Sequence, residues 1–80
     1  MALSDTYDDL ADSYSYTADM DRSLGALAFD LGESALARWD FGDAMAAFAE
    51  GAQDYANAAE ADAAMAIYRS IATALRAAGK

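Results

Sequence analysis

Alanine occupies 23 of the 80 positions in this chain, and proline occupies none. Alanine has the highest intrinsic helix propensity, and without proline nothing forces a break inside a helix. Apolar residues recur three and four positions apart along most of the chain, which is the spacing of one helix face. The sequence therefore predicts an all-α fold in a single domain, residues 1–80.

The apolar stripes divide the chain into four helical segments. The first covers about residues 4–20 and the second about residues 22–38. A third begins at Phe41, and its stripe falls out of register near Asn57, where a fourth begins. One helix from Phe41 to the end would be about 57 Å long, too long for a compact domain of this size. We therefore predict a small antiparallel bundle of about four helices.

Local signals support the turn between the second and third segments. Asp40 is suited to cap the third helix, and Asp43 follows three positions later as in a capping box. Ser4 or Asp5 can cap the first helix in the same way. Gly25 and Gly32, seven residues apart, would let another helix approach the second segment closely.

The small residues near this turn resemble the pattern of tetratricopeptide helical hairpins. Gly32 and Ala44 stand at the matching spacing, and Phe48 and Gly51 continue the pattern. The resemblance covers about a third of the chain. It implies packing of adjacent helices as a hairpin and not a peptide-binding superhelix.

The large apolar side chains of the stripes are predicted to form the core of the bundle. Trp39 is predicted to be a partly buried plug at the turn. The predicted core residues are Leu10, Leu24, Leu27, Leu31, Phe41, Met45, Phe48, Tyr55, Tyr68, Ile71 and Leu75.

Charge is distributed unevenly along the chain. All fourteen acidic residues lie within residues 1–62, whereas residues 63–80 contain Arg69, Arg76 and Lys80 and no acid. The net charge of −9 repels nucleic acid and anionic membranes and attracts basic protein surfaces. The expected partner is therefore a basic surface, as on a nucleic-acid-binding protein, with no direct binding of nucleic acid or membrane.

The acidic residues of the first and third segments form stripes that contain no basic residue. Stacked like charges cost stability, so we interpret the stripes as a binding surface; the alternative is a solvated surface that only confers solubility. Tyr16 projects among the acids as a candidate anchor. The predicted partner-binding residues are Asp5, Asp8, Asp9, Asp12, Tyr16 and Asp19, with a secondary patch of Asp43, Glu50 and Asp54.

The chain contains neither cysteine nor histidine. These absences remove most zinc sites, histidine general bases and the usual nucleophile pairs, so we expect no enzyme, no cofactor and no metal. Asp19, Asp21 and Ser23 do follow the spacing of a calcium-binding loop. Leu24, however, stands where that loop requires glycine.

Residues 30–34, Asp-Leu-Gly-Glu-Ser, resemble the serine region of acyl carrier proteins, which are acidic four-helix domains of this size. In that family the modified serine follows aspartate and precedes leucine, whereas Ser34 follows Glu33 and precedes Ala35. The resemblance implies an acyl-carrier-like domain with a phosphopantetheine arm on Ser34. The alternative is an ordinary helical serine.

In size, acidity and lack of catalytic residues, the chain resembles small phage proteins that inhibit restriction or CRISPR systems. The resemblance implies an inhibitor whose carboxylates stand in for the phosphates of nucleic acid. The alternative is a structural or adaptor bundle that acts through apolar helix association, including a possible homodimer. The N-terminus lacks the features of a signal peptide, so we expect a cytoplasmic protein, in the host cell if phage-encoded.

Overall fold

A computed structural model describes residues 2–80 and contains two helices, α1 (Leu3–Ala37) and α2 (Phe41–Ala77). The helices have 35 and 37 residues and pack antiparallel as a hairpin. The molecule measures 60 × 15 × 11 Å along its principal axes. The predicted bundle of about four helices is therefore wrong, because each predicted pair of helices is one continuous helix.

The two predicted breaks lie inside the helices and are crossed by side-chain interactions within a helix. Arg22 bonds to Asp19 one turn earlier, and the Gln53 amide donates to the Asn57 side chain at 3.0 Å. Asn57 is thus occupied within α2 and does not cap a new helix. A helix of about 57 Å fits this molecule, because the molecule is a rod 60 Å long rather than a compact bundle.

The chain turns at residues 38–40. Trp39 has φ 62°, in the left-handed region, and its side chain is 80% exposed at the tip of the hairpin. The predicted plug is therefore wrong. The capping role of Asp40 is confirmed, because its carboxylate accepts from the Asp43 N–H at 3.1 Å. That bond lowers the pKa of Asp40, and the neighbouring Asp40 carboxylate raises the pKa of Asp43 through a side-chain hydrogen bond.

The opposite end of the rod brings the two ends of the described chain together. Gly79 has φ 76°, and the Lys80 N–H donates to the Leu75 carbonyl at 2.9 Å, which ends α2. The Ser4 N–H donates to the Lys80 carbonyl at 3.2 Å. Ser4 or Asp5 was predicted to cap α1, but this is wrong: Ala2 occupies the cap position without a side-chain bond, and Ser4 is buried.

Small residues line the seam between the helices. They recur every seven positions in both helices, except that the half-buried Met65 stands between Ala58 and Ala72, and this repeat keeps one line of each helix against the other. Without large side chains the backbones come close: a Cβ added to Gly51 would lie 3.2 Å from the Gly25 carbonyl oxygen. The seam residues are Ser4, Ala11, Ala18, Gly25 and Gly32 in α1, and Ala44, Gly51, Ala58 and Ala72 in α2.

Most of the predicted core is therefore wrong. Among residues 2–80, no large side chain is fully buried. Two helices share a single seam, and because small residues occupy it, the large side chains lie beside it. Phe48, Tyr68, Ile71 and Leu75 are half-buried. The predicted core residues that are exposed are Leu10, Leu24, Leu27, Leu31, Phe41, Met45 and Tyr55.

Candidate functional site

The hairpin is flat and has two broad sides with different chemistry. On one side, which we call the ion-pair side, charged residues of α1 and α2 meet across the seam. The other, which we call the apolar side, carries a continuous line of large residues on α1. By helical spacing, that line consists of Leu3, Tyr7, Leu10, Tyr14, Met20, Leu24, Leu27 and Leu31.

On the ion-pair side, arginines of one helix bind carboxylates of the other. Arg76 pairs with Asp8, and Arg69 pairs with Asp12 at 2.8 Å. Arg22 binds Asp62 across the seam at 2.6 Å and Asp19 within α1. Arg22 donates hydrogen bonds to the carboxylates of Asp19 and Asp62, and these bonds, with that to Asp19 the larger cause, raise the pKa of Arg22. The antiparallel pairing thus places the basic end of the sequence against its acidic beginning.

This pairing changes the electrostatics of the predicted binding site. Asp8, Asp12 and Asp19, three of the six residues predicted on the first helix, already pair with arginines of the same chain. Sequence reasoning missed the roles of Arg69 and Arg76. The available signal was the acid-free segment 63–80, which has the opposite charge to the first helix.

The other predicted residues of α1 remain open to solvent. Asp5 and Asp9 are exposed, and neither makes an ion pair with any residue of the range 2–80. Tyr16 is 67% exposed. Helical spacing places all three on the ion-pair side or outer surface of α1, and none on the apolar side.

The predicted secondary patch does not join the acids of α1. Glu50 and Asp54 lie on the apolar side, where they line a groove with Leu24, Leu27 and Leu31. Asp43 lies in the first turn of α2, beside its N-cap residue. The structure therefore separates the two predicted acidic patches onto different sides of the hairpin.

Aromatic rings cover the seam on both sides. Phe29 lies between Phe48 and Tyr55, with ring centroids 5.5 Å apart in each pair. Tyr68 stacks on Tyr7 at 5.9 Å and on Tyr14 at 5.5 Å. These rings pack beside the small seam residues and join the two helices without filling a closed core.

The apolar side leaves large residues of α1 exposed that no contact within the hairpin covers. Leu24, Leu27 and Leu31 are 48%, 56% and 59% exposed, and Leu3 at the far end is 51% exposed. The helical spacing of this line was visible in the sequence. The seven-residue repeat of small residues was the signal that could have placed it outside the seam.

The structure also places the residues named for metal and carrier sites. Within residues 2–80, no three acidic residues lie close enough together to hold a metal ion. Ser34 is an exposed residue inside α1. Neither α1 nor α2 has a stretch that is both long and apolar enough to cross a membrane.

Comparisons with known proteins do not assign the chain to a family. Searches against protein-family models, curated proteins and solved structures find no match to it.

Proposed function

We propose that this chain is a non-enzymatic interaction module that acts through apolar helix association on its apolar side. The observation that carries this proposal is the inversion of the usual burial pattern. The buried residues of the two helices are all alanine, glycine or serine, whereas the leucines of α1 are about half exposed. In a monomer that functions alone, large exposed apolar surfaces of this kind are uncommon and mark interaction sites.

The total surface of the hairpin supports the same proposal. A folded chain of 8.4 kDa is expected to expose about 4,600 Å². The hairpin exposes 5242 Å². Its radius of gyration is 17.9 Å, compared with about 12 Å for a compact domain of this length. A small chain without cysteines, and hence without disulfides, gains stability by covering such surface with another protein surface.

The second candidate is the acidic inhibitor that mimics nucleic acid. Asp5, Asp9 and Tyr16 favour it, because they form an exposed group outside the internal ion pairs. In this proposal they would face a basic site of a nucleic-acid-binding protein. The internal pairing of Asp8 and Asp12 removes part of the charge on which the proposal rested.

Salt and two matched variants distinguish these functions. Leu24→Gln alters the apolar side, and Asp5→Asn with Asp9→Asn alters only the exposed acids. We expect association of the wild type, with itself or with another protein, to persist at high salt, because apolar contacts are not screened. It should survive the aspartate changes and weaken with Leu24→Gln. Sedimentation at two salt concentrations, with circular dichroism to confirm folding, provides the measurement.

The opposite pattern would favour the inhibitor. In that pattern, high salt and the aspartate changes would abolish association, and Leu24→Gln would leave it intact. The acidic residues would then be the binding surface. If none of the folded variants associates with anything at either salt concentration, the proposed function is wrong.

A further inference from the structure

The apolar line of α1 is symmetric about its midpoint. With Thr17 counted between Tyr14 and Met20, the spacing from Leu3 to Leu31 is 4, 3, 4 and 3 as far as Thr17, and then 3, 4, 3 and 4. Thr17, a small polar residue, stands at the centre. An uninterrupted heptad pattern would keep alternating, so the reversal at Thr17 is a specific feature. In order, the line is Leu3, Tyr7, Leu10, Tyr14, Thr17, Met20, Leu24, Leu27 and Leu31.

We propose that the apolar side binds a second copy of this chain, with the two α1 helices antiparallel and a two-fold axis at Thr17. The inference rests on the proposed function and names its partner. In a two-fold dimer the same surface occurs on both copies, so it must match itself in the reversed direction. The reversed spacing gives this match: residue 10 meets residue 24, residue 3 meets 31, residue 7 meets 27 and residue 14 meets 20.

The area of the apolar side fits such a dimer. A broad side of 60 Å by 15 Å presents about 900 Å² in projection. Stable specific interfaces cover about 800 Å² on each partner. The exposed surface also exceeds the expectation for a compact chain by about 600 Å². A second hairpin of the same length can cover this side from end to end.

The charges of the apolar side distinguish the two directions near Leu27 but not near Thr17. The α1 line contains no charged residue in either half. Asp21 and Glu60 line a groove with Tyr14 and Thr17, so either direction brings these carboxylates of the two copies together. Leu27 lies beside Glu50 and Asp54 of α2. The antiparallel arrangement places this second pair of carboxylates near Tyr7 of the other copy, whose phenol can donate a hydrogen bond, whereas a parallel arrangement would bring the pairs of both copies together.

The mass in solution is the first test. Two chains of 8.4 kDa give a particle of about 17 kDa in sedimentation equilibrium. Leu24→Gln should raise the dissociation constant by about 100-fold, because each dimer loses the contact with Leu10 twice. Leu36 provides the matched control, since it is 47% exposed, like Leu24 at 48%, but lies on α1 away from the apolar line. Leu36→Gln should leave the dissociation constant unchanged.

Disulfide crosslinking then tests the direction and the axis. The chain has no cysteine, so single cysteine variants report without background. Thr17→Cys should form a disulfide between copies on mild oxidation, because residue 17 meets itself at the axis. Ser13→Cys should not, because residue 13 faces residue 21 and its own copy lies about 12 Å along the helix. Ala26→Cys, on the ion-pair side, should also remain unlinked.

Each other result overturns the inference. A dimer in which Ser13→Cys links as fast as Thr17→Cys is parallel or disordered in register. A dimer that Leu24→Gln leaves intact uses another surface. If the wild type is monomeric and binds a different protein, and Leu24→Gln weakens that binding, the dimer is wrong and the proposed function stands. A monomer that associates with nothing contradicts both.

Discussion

At the scale of single residues, glycine and alanine determine how closely the helices approach. A Cβ added to Gly32 would lie 2.6 Å from Cε1 and 2.8 Å from Cδ1 of Phe48. The ring cannot move away freely, because it also packs against Phe29 at 5.5 Å. Gly32 thus creates the space that Phe48 fills beside the seam.

Gly32→Ala should therefore destabilise the hairpin although alanine is the better helix former. The gain in helix propensity is about 1 kcal/mol, and overpacking a tight contact costs about 1–3 kcal/mol. We expect a net loss of about 1 kcal/mol in the free energy of unfolding, measured by urea denaturation. Gly42→Ala is the control, since the only atom near its added Cβ is Asp40 Oδ1 at 3.9 Å. That variant should be neutral or slightly stabilised, and a Gly32→Ala variant as stable as Gly42→Ala would contradict this account of the seam.

At the scale of the elements, the two helices are joined in register by charge as well as by shape. The ion pairs of Asp8 with Arg76 and Asp12 with Arg69 connect the start of α1 to the end of α2. Both carboxylates lie in the predicted acidic stripe, and both arginines lie in the acid-free segment. A shift of one helix along the other would separate these partners.

A double-mutant cycle on Asp12 and Arg69 measures this contribution. The side chains are 67% and 47% exposed, so solvent screens the pair, and we expect a coupling free energy of about 0.2–1 kcal/mol. The variants are Asp12→Asn, Arg69→Gln and their combination, compared by denaturation at low salt. Asp9→Asn with Arg69→Gln is the control and should show no coupling. Equal coupling in both cycles would mean that general attraction, and not the Asp12 pair, acts on Arg69.

The sequence was sufficient to predict that the chain is helical and that it turns before Asp40, but not how many helices it forms. Asp40 is a local signal, and its capping bond to Asp43 was predictable. The continuity of α2 through Asn57 was not predictable, because the local sequence is equally compatible with capping by the Asn57 side chain and with its i,i+4 bond to Gln53. The exposed acids were predictable from helical spacing. Their pairing with Arg69 and Arg76 depends on which helices are neighbours, which is a property of the tertiary fold.

At the scale of the whole molecule, excess negative charge opposes folding. The chain has fourteen acidic residues against five basic ones, so ion pairs can neutralise only a minority of the carboxylates. Repulsion among the others acts along the full length of the rod and between copies in a dimer.

Added salt should therefore raise the melting temperature of the protein at neutral pH. Screening weakens the favourable ion pairs and the unfavourable repulsions together, and the net charge of −9 makes repulsion the larger effect. Calorimetry at one protein concentration and several salt concentrations measures the balance. A melting temperature that falls as salt is added would show that the cross-helix pairs outweigh the repulsion.

The hydrogen bond from Ser4 to Lys80 has a consequence for how the molecule could present other proteins. It holds both ends of the described chain together, opposite the Trp39 tip of a rod 60 Å long. A protein fused to either end would therefore be attached at the same end of the rod. In the antiparallel dimer, the attachment ends of the two copies would lie at opposite ends of the assembly. The dimer would then act as a rigid spacer that holds two fused proteins apart.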